Sequence, residues 1–501
     1  MQRGANVRDP GLAHFYKKYL TGYSERHMDL KGYTPTIGLE VHAELNTQTK
    51  MFCDSRNSPR ESRPNVNVCP VCMAHPGTLP VINKQAVRHV LRVGAALGGR
   101  FPDYTEFDRK NYFYPDIPKG YQISQYKYPL VEGGSLLGVA ITRVHLEEDT
   151  ARSLHDAGEG TRIDYNRAGV PLMELVTEPV IHDAQTAGAF GRELQLLLRT
   201  LGASEANMEE GQMRVEVNIS VSKDTTFGTK VEIKNINSFR SVERAIEYEV
   251  ARQIEALESG SALVQETRGW DENEQKTFSQ RKKESSHDYR YFPDPDLPKL
   301  RLSEMPEFLP ETLRAEMPEL PFDMRARYSS LGLKKEDVEM FVRDRAFGGF
   351  FDRVTADKKE LAAISANYIA SDIAGAIQNG ELQSIWMNDE KNISRFSELM
   401  ELLQTGALTS RAGKNILTEL FAGGGKSPSE IATEQNLFQK SDRGELEVLA
   451  GKIISAHPAV VADYKAGKAP ALQFLIGQGM KESKGSANPG TLKEVFEKLL
   501  S

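Results

Sequence analysis

The chain has 501 residues, of which 39% are hydrophobic and 27% are charged, and its formal net charge is −7. Since one hydrophobic core rarely extends over such a length, we expect two to four domains. No apolar run reaches the roughly 20 residues that span a bilayer, and the net negative charge argues against indiscriminate binding of nucleic acid. The first thirty residues lack the apolar stretch of a secretory signal, which predicts a cytoplasmic protein.

Strand-like alternation dominates the chain from residue 36 to about 300. Three segments show it most clearly, at 37–45, 138–149 and 213–221. Two long helices interrupt these strands, one at 184–201 with Asp183 as its predicted N-cap and one at 241–260 that ends on a glycine. This part of the chain is therefore predicted to be mixed α/β.

The pattern changes after a proline-rich stretch at 292–300, where helices with short polar joints replace the alternation. A second break falls at residues 423–425, which are all glycine, and residues 427–430 then have the composition of a helix-capping box. We predict the α+β class, with a large mixed α/β domain followed by two all-α domains. The predicted segments are an N-terminal extension at 1–35, the mixed domain at 36–300, a helical domain at 301–426 and a small helical tail at 427–501.

The first strand carries the first candidate site. Alternation in residues 37–45 places Glu40, His42 and Glu44 on one face and apolar side chains on the other. Carboxylates at that spacing suit a hard cation, with the imidazole as an additional ligand. The alternative is an ordinary solvated strand face.

Four further motifs could bear chemistry. Residues 145–149 end another strand with three consecutive acids, which need water, a cation or a basic partner. Residues 108–125 interleave cations with aromatic rings, which could hold phosphate and stack a base, or simply pack on a core. Glu174 and Glu210 each lie near a turn; the alternative is an ordinary turn for the first and a charged loop for the second. Residues 234–239 precede the second long helix, whose N-terminus favours anions; capping of that helix is the alternative.

Three cysteines, Cys53, Cys69 and Cys72, form a C-x15-C-x2-C pattern. This is three quarters of a zinc site: His75 is near enough in sequence to be the fourth ligand, and Ser55 stands where an F-C-x-C motif would supply it. Free thiols are the alternative. The chain also lacks a phosphate-binding loop, because the similar stretch at 423–427 has leucine at position 420 where the motif needs glycine.

Taken together, several long motifs resemble the B subunit of the bacterial glutamyl/aspartyl-tRNA amidotransferases. They follow the same order as in that family, and the resemblance extends from about residue 36 to a tail signature at 480–489. The motifs are IGLEVHAEL, CPVC, FDRKNYFYPDIPKGYQISQY, HLEED, GVPLMELVTEP, MEEG, GTKVEIKNINSF and DYRYFPDPDLP.

The resemblance implies a cradle-shaped catalytic domain, a helical domain and a tRNA-contacting tail. It also implies that ATP and Mg²⁺ serve to phosphorylate the side-chain carboxylate of Glu-tRNA(Gln) or Asp-tRNA(Asn), and that ammonia then displaces the phosphate. The glutaminase, or A subunit, would supply the ammonia, and the small C subunit would brace the heterotrimer.

The resemblance also implies roles for particular residues. The metal ligands would be Glu40, His42, Glu148 and Glu174 for Mg²⁺, and Cys53, Cys69 and Cys72 for a structural Zn²⁺. Lys110 would contact the phosphate or the acyl carboxylate, and Glu147 and Glu210 would belong to the metal shell or the ammonia path. ATP would be contacted by Asn111, Tyr112, Lys234 and Asn235.

The chain departs from the family pattern at three places. Ser55 stands where a fourth cysteine is usual, Glu216 stands where the family has aspartate, and residues 1–30 have no counterpart, so Met28 could be an alternative start. Two other functions remain open: a tRNA adaptor without enzymatic activity, and a free-standing ligase for a small carboxylic acid. The latter would need ammonia or a partner, because no nucleophile set for glutamine hydrolysis is present.

Overall fold

The computed structural model describes residues 29–154, 160–282, 289–439, 443–468, 470–483 and 487–500. Residues 1–28 of the predicted extension and residues 484–486 of the tail signature lie outside the described residues. The chain divides into two compact units, Met1–Leu320 and Pro321–Ser501. The finer division into four segments stays a prediction. Within the described ranges, no helix combines the length and apolar character needed to cross a membrane.

The first unit is built on sixteen described strands. They are β1 Thr34–Glu44, β2 Tyr104–Thr105, β3 Asp108–Asn111, β4 Tyr121–Ser124, β5 Val131–Glu132, β6 Ser135–Leu136, β7 Val139–Glu148, β8 Arg152–Leu154, β9 Arg162–Asp164, β10 Pro171–Thr177, β11 Met213–Ser222, β12 Val231–Lys234, β13 Glu266–Asp271, β14 Lys276–Lys282, β15 Phe292–Pro293 and β16 Leu300–Arg301. Nine of them form one sheet in the order β14-β13-β12-β11-β1-β10-β7-β5, with β6 paired to β7. A separate small sheet has the order β15-β3-β4, and two further pairs are β16-β2 and β8-β9.

Strand β1 lies at the centre of the large sheet, between β10 and β11. Its apolar residues Leu39, Val41 and Ala43 are at most 1% exposed. Burying side chains of this size stabilises the fold by about 1.5–3 kcal/mol for each valine or leucine. The predicted division of this strand into an apolar and a polar face is therefore confirmed.

Among its described residues, the first unit has four α-helices: α1 Lys84–Ala96, α2 Ala184–Thr200, α3 Phe239–Glu258 and α4 Pro310–Ala315. Helix α2 packs on α3 and β1, and α3 packs on β11. The Asp183 carboxylate accepts from the Thr186 backbone N–H at 2.6 Å, which confirms the predicted N-cap. Helix α3 starts at Phe239, after the Ser238 cap and two residues earlier than predicted, and Gly260 beyond its end has a φ of +75° that suits glycine.

The second unit is helical throughout its described residues. Its α-helices are α5 Pro321–Ser330, α6 Lys335–Arg343, α7 Arg345–Thr355, α8 Ala362–Tyr368, α9 Ala374–Gln378, α10 Glu390–Gln404, α11 Ser410–Phe421, α12 Pro428–Glu434, α13 Arg443–Ala456, α14 Pro458–Lys465, α15 Pro470–Glu482 and α16 Pro489–Leu500. The predicted capping box starts α12: Ser427 Oγ accepts from the Glu430 N–H, and Glu430 Oε2 accepts from the Ser427 N–H. Helices α13, α15 and α16 share an apolar cluster that includes Leu446, Leu475 and Phe496. The α+β class is confirmed.

Candidate active site

A row of polar side chains crosses the centre of the large sheet. Strand pairing places His42 of β1 directly opposite Glu174 of β10, and Glu174 directly opposite His145 of β7. The Glu174 Oε2 atom lies 3.2 Å from His42 Nε2 and 3.6 Å from His145 Nε2. Glu40 joins them, with Oε1 3.8 Å from His42 Nε2. Three of the four predicted Mg²⁺ ligands, Glu40, His42 and Glu174, are therefore brought together.

Glu147, not Glu148, completes this cluster. Because residues alternate across a strand, His145 and Glu147 of β7 share a face while Glu148 points to the other side. Glu147 Oε1 lies 3.4 Å from His145 Nε2, and its two carboxylate oxygens accept from Ser124 Oγ at 2.5 Å and from Gln122 Nε2 at 2.9 Å. Glu147 thus lies where the sequence analysis expected Glu148.

The predicted fourth ligand, Glu148, faces a different cavity, so its grouping with Glu40, His42 and Glu174 is corrected here. Its carboxylate accepts from Lys119 Nζ at 2.8 Å and from the Ile123 backbone N–H at 3.0 Å. That cavity also contains Arg109 and Cys72 in its lining. The register between β7 and β10, which the sequence does not display, decides which of the two adjacent acids meets Glu174.

The cluster lines a cavity of about 240 Å³. Lys110 enters it from β3, a strand of the small sheet, and Lys234 enters it from β12. Arg143 also lines it, with its guanidinium 3.6 Å from Glu174 Oε1. Acidic and basic side chains from five strands therefore face one partly open cavity, where they can stabilise charge on a transferred group.

Charge within the cavity shifts several pKa values. Burial and the charges of Glu174 and Glu216 raise the pKa of Glu40 to about 7. Burial acts to lower the pKa of His42, but its hydrogen bond to Glu174 and the charge of that carboxylate outweigh this and raise the pKa to about 9. Burial likewise opposes the charge on Lys110, yet Glu147 and other neighbours hold the pKa of its ammonium well above the usual value. The cavity thus holds a charged lysine beside acids that repel one another.

A second group of acids adjoins the first through Glu40. Carboxylate oxygens of Glu40, Glu216 and Glu232, from β1, β11 and β12, lie within 4.8 Å of one another. Lys234 Nζ is 2.7 Å from Glu216 Oε2 and 3.8 Å from Glu232 Oε1. The longer side chain at position 216, which replaces the aspartate of the family pattern, still reaches this group.

The donor chemistry of the cluster fits a hard divalent cation such as Mg²⁺. Carboxylate oxygens are the ligands that this ion prefers. The cluster offers the carboxylates of Glu40, Glu147 and Glu174, beside the imidazoles of His42 and His145. The buried Nδ1 atoms of His42 and His145 have no hydrogen-bond partner among the described residues. Since like charges this close need a compensating cation, the residues present fit the ion that the resemblance implies.

Of the remaining predicted site residues, Lys234 lines the cavity, but three predicted ATP contacts and Glu210 lie outside its lining. Asn111 Nδ2 donates to the backbone carbonyls of Tyr289 and Arg290, and Tyr112 packs edge-on against Tyr114 and Tyr289. Neither side chain is in the lining of the cavity. The two remaining residues are also outside it: Asn235, with a φ of +62°, borders a separate hollow beside Trp270, and Glu210 pairs with Arg60 at the surface.

Comparison with known proteins identifies the family of the chain. The sequence profile of the GatB/GatE catalytic domain matches residues 35–306, and that of the GatB domain matches residues 349–500. The chain belongs to the GatB family. This confirms the resemblance seen in the sequence.

Relatives of this GatB-family chain align over nearly its whole length. The B subunit of the aspartyl/glutamyl-tRNA(Asn/Gln) amidotransferase of Crocosphaera subtropica is 42% identical over 495 residues, which cover 94% of this chain and 98% of the relative. The B subunit of the same name from Thermus thermophilus is 43% identical over 471 residues, which cover 93% of this chain and 98% of the relative. The B subunit of the chloroplastic/mitochondrial glutamyl-tRNA(Gln) amidotransferase of Oryza sativa is 43% identical, with 94% and 88% covered.

The three cysteines of this GatB-family chain also lie together, with their Sγ atoms within 4.8 Å of one another. The Cys72 Sγ atom has Ser55 Oγ at 3.8 Å and the ammonium of fully buried Lys50 at 3.7 Å. A hydrogen bond from Cys53 and the charge of Lys50 lower the pKa of the Cys72 thiol to about 4. A structural zinc site needs four nitrogen, sulfur or carboxylate donors. Only three of the described residues supply them here, so they do not complete such a site.

Replacing Ser55 by cysteine should complete it. Since the Ser55 side chain already lies beside Cys72, we expect Ser55→Cys to tighten zinc binding at least about 100-fold, the share of one ligand in a four-ligand site. Competition with a chromophoric chelator on the reduced protein measures this. Ser62→Cys, on the exposed part of the same loop, is the matched control. Equal zinc affinities for Ser55→Cys and the unaltered chain would contradict the expectation.

Some site residues were given no individual role from the sequence. His145, Gln122 and Ser124 lie within the motifs at 145–149 and 108–125, Glu216 was noted only as a departure, and Arg143 belongs to none of these motifs. Alternation along β7 provides a signal for His145, because it lies two residues before Glu147. Ser124 and Gln122 carry no such signal, since their role depends on β4 lying against β7.

Proposed function

We propose that this chain is the B subunit of a tRNA-dependent amidotransferase. It phosphorylates the side-chain carboxylate of Glu-tRNA(Gln), Asp-tRNA(Asn) or both with ATP, and then amidates the activated acyl group with ammonia. The observation that carries the proposal is the cavity in which Glu40, Glu147 and Glu174 face Lys110. The names of the relatives agree with this chemistry.

The cluster would stabilise the negative charge of the phosphoryl group during its transfer. Glu40, His42 and Glu174 would hold Mg²⁺, with Glu147 in reach of the same group. The ion, when bound, neutralises phosphate oxygens and aligns the transferred group. Lys234, paired with Glu216 and Glu232, lies beside this group and would offer a positive charge to the phosphates of the nucleotide.

Phosphoryl transfer needs little covalent chemistry from the protein. It depends mainly on positioning the two reactants and stabilising the charge between them. A carboxylate oxygen of the aminoacyl side chain bonds to the γ-phosphorus while the bond from that phosphorus to the bridging oxygen of ADP breaks. Lys110, whose pKa is raised by Glu147 and other neighbours despite burial, stabilises the transferring group with its positive charge. Ammonia then bonds to the acyl carbon, the carbon–oxygen bond to phosphate breaks, and the ammonium proton leaves to solvent or a carboxylate. The products are the amide, phosphate and ADP.

The ammonia must come from outside the described residues, because they show no nucleophile set for glutamine hydrolysis. We therefore propose a heterotrimer with a glutaminase A subunit and a small C subunit, in which the helical tail of this chain contacts the tRNA. Glu148 and Lys119 form an ion pair 2.8 Å apart in the neighbouring cavity.

One reconstitution tests the proposal and separates it from the alternatives. The chain is assembled with the glutaminase and the small C subunit and assayed with ATP, glutamine and either Glu-tRNA(Gln) or Asp-tRNA(Asn). We expect ATP hydrolysis that depends on the aminoacyl-tRNA and yields the amidated product. An adaptor would consume no ATP, and a small-acid ligase would consume it without any tRNA.

Binding of Mg²⁺ should be pH-dependent. Glu40, with a pKa raised to about 7, and His42, with a pKa raised to about 9, carry protons that the ion must displace. Both groups lose these protons as the pH rises, so the affinity for Mg²⁺ should increase between pH 6.5 and 8.5, by up to about tenfold per unit for each proton displaced. Calorimetry in buffers of different ionisation enthalpy measures the released protons, and Glu40→Gln should reduce their number. An affinity that stays constant over this range would contradict the ligand assignment.

A further inference from the structure

Two stacked tyrosines line the cavity that holds the carboxylate cluster. The rings of Tyr126 and Tyr291 have centroids 4.5 Å apart and planes 14° apart. Tyr126 is 50% exposed, so half of the surface of this residue is accessible to a ligand from solvent. A third ring, Tyr289, lies edge-on to Tyr291 and has Lys110 Nζ 5.2 Å from its centroid. The aromatic wall therefore runs from the charged lysine to the rim of the cavity.

The small sheet holds this wall in register with the cluster. Tyr126 follows β4, and its backbone N–H donates to the carboxylate of buried Asp108 at 2.9 Å. Tyr291 precedes β15, whose Phe292 pairs with Arg109 of β3. Since β3 also carries Lys110, the two rings and the cation share one backbone frame. A ligand that contacts Lys110 thus meets rings at a fixed position.

The size of the cavity determines which part of a nucleotide it can enclose. Its volume of about 240 Å³ is smaller than the roughly 300–1,000 Å³ of most small-molecule sites. A phosphoryl or acyl group fits inside, next to Lys110 and Glu174, but a whole nucleotide does not. The remainder of the ligand must extend out of the cavity, past half-exposed Tyr126 in its lining.

We propose that the Tyr126–Tyr291 pair is a stacking platform for an adenine base. This inference rests on the proposed function, in which both substrates carry adenosine: ATP itself, and the terminal nucleoside of the tRNA that bears the amino acid. Stacking on an exposed tyrosine accepts any base, because it uses the flat face of the ring and not its edges. The platform therefore supplies affinity, while the carboxylate cluster and Lys110 orient the reacting end.

Steady-state kinetics of the assembled heterotrimer with ammonium chloride as nitrogen donor tests the platform. Tyr126→Leu removes the ring at a half-exposed position, where the fold should tolerate the change, and Tyr126→Phe keeps the ring. Phe227→Ala removes an aromatic ring that is 73% exposed and outside the cavity lining, and serves as the control. The KM values for ATP and for Glu-tRNA(Gln) are measured separately, each with the other substrate saturating.

We expect Tyr126→Leu to raise one of the two KM values about tenfold or more, and Tyr126→Phe and Phe227→Ala to stay within about twofold. A rise confined to ATP assigns the platform to the adenine of the nucleotide, and a rise confined to Glu-tRNA(Gln) assigns it to the terminal adenosine. If Tyr126→Leu and Tyr291→Leu both leave both constants within about twofold, the platform is wrong although the proposed function stands. An unaltered complex that amidates nothing would instead overturn the proposed function.

Discussion

Replacing Glu174 by glutamine should lower ATP-dependent amidation by about 1,000-fold. This carboxylate is shared by both histidines of the cluster, with His42 Nε2 at 3.2 Å and His145 Nε2 at 3.6 Å. Burial opposes its ionisation, but His145, His42 and Lys110 hold the pKa of Glu174 far below the usual range, so it is charged at any working pH. A neutral amide of the same shape would remove one charge from the proposed ion site, at the point where negative phosphate must be balanced.

The matched control is Glu132→Gln, which removes a carboxylate from β5 of the same sheet. Glu132 pairs with Arg100 at the surface and lies outside the cavity lining. Amidation is measured with ammonium chloride and Glu-tRNA(Gln), and glutaminase activity of the same complex reports that assembly is intact. If Glu174→Gln keeps more than about a tenth of the unaltered rate, the cluster does not carry phosphoryl transfer.

Replacing Lys110 by methionine should have an effect of similar size, about 1,000-fold on the turnover number. Glu147 and Glu174 keep the Lys110 ammonium charged despite its burial, so its charge is available to the transferring phosphoryl group at every pH from 6 to 9. The loss should accordingly be the same across this range. Methionine keeps most of the apolar length of the side chain, which separates loss of charge from loss of packing.

Two comparisons define the Lys110 experiment. Lys110→Arg keeps the charge and should retain more activity than Lys110→Met, and Lys127→Met removes an exposed lysine near the same sheet as a control. Rates are measured in single turnovers at pH 6.5, 7.5 and 8.5. Equal rates for Lys110→Met and Lys127→Met would show that this lysine takes no part in the chemistry.

Much of the local structure was predictable because it depends on short-range patterns. Alternation identified β1, β7 and β11, and capping residues identified the starts of α2 and α12. The two faces of β1 followed from the same alternation, which is why Glu40 and His42 were correctly placed side by side. These features need no knowledge of which strands are neighbours.

The assembly of the site was less predictable, because it depends on pairing between segments far apart in the sequence. The β7–β10 register turns Glu147 towards Glu174 and Glu148 away from it, and three consecutive acids give no sign of which one faces inward. Lys110 arrives from a separate sheet that Phe292 and Pro293 help to build. Asn111 lies next to Lys110 in sequence, but its side chain binds the 289–290 backbone and not the cavity.

The family resemblance grouped residues from distant segments, which alternation within a single strand cannot do. It did not assign every residue of the group correctly. It pointed to Glu40, His42 and Glu174 correctly as a group. It also implied zinc ligands, for which this chain has three sulfurs, a serine hydroxyl and a buried ammonium. At that position the residues of this particular chain, and not the family pattern, decide what the site can bind.

Transfer of oxygen isotope tests most directly whether this chain phosphorylates a carboxylate. Glu-tRNA(Gln) carrying ¹⁸O in both side-chain carboxylate oxygens is incubated with the assembled complex, ATP and ammonium chloride. Attack of the carboxylate on the γ-phosphorus followed by carbon–oxygen cleavage predicts one ¹⁸O atom in each phosphate released, and none above background with Glu174→Gln. Amidated product accompanied by phosphate without ¹⁸O would contradict the account.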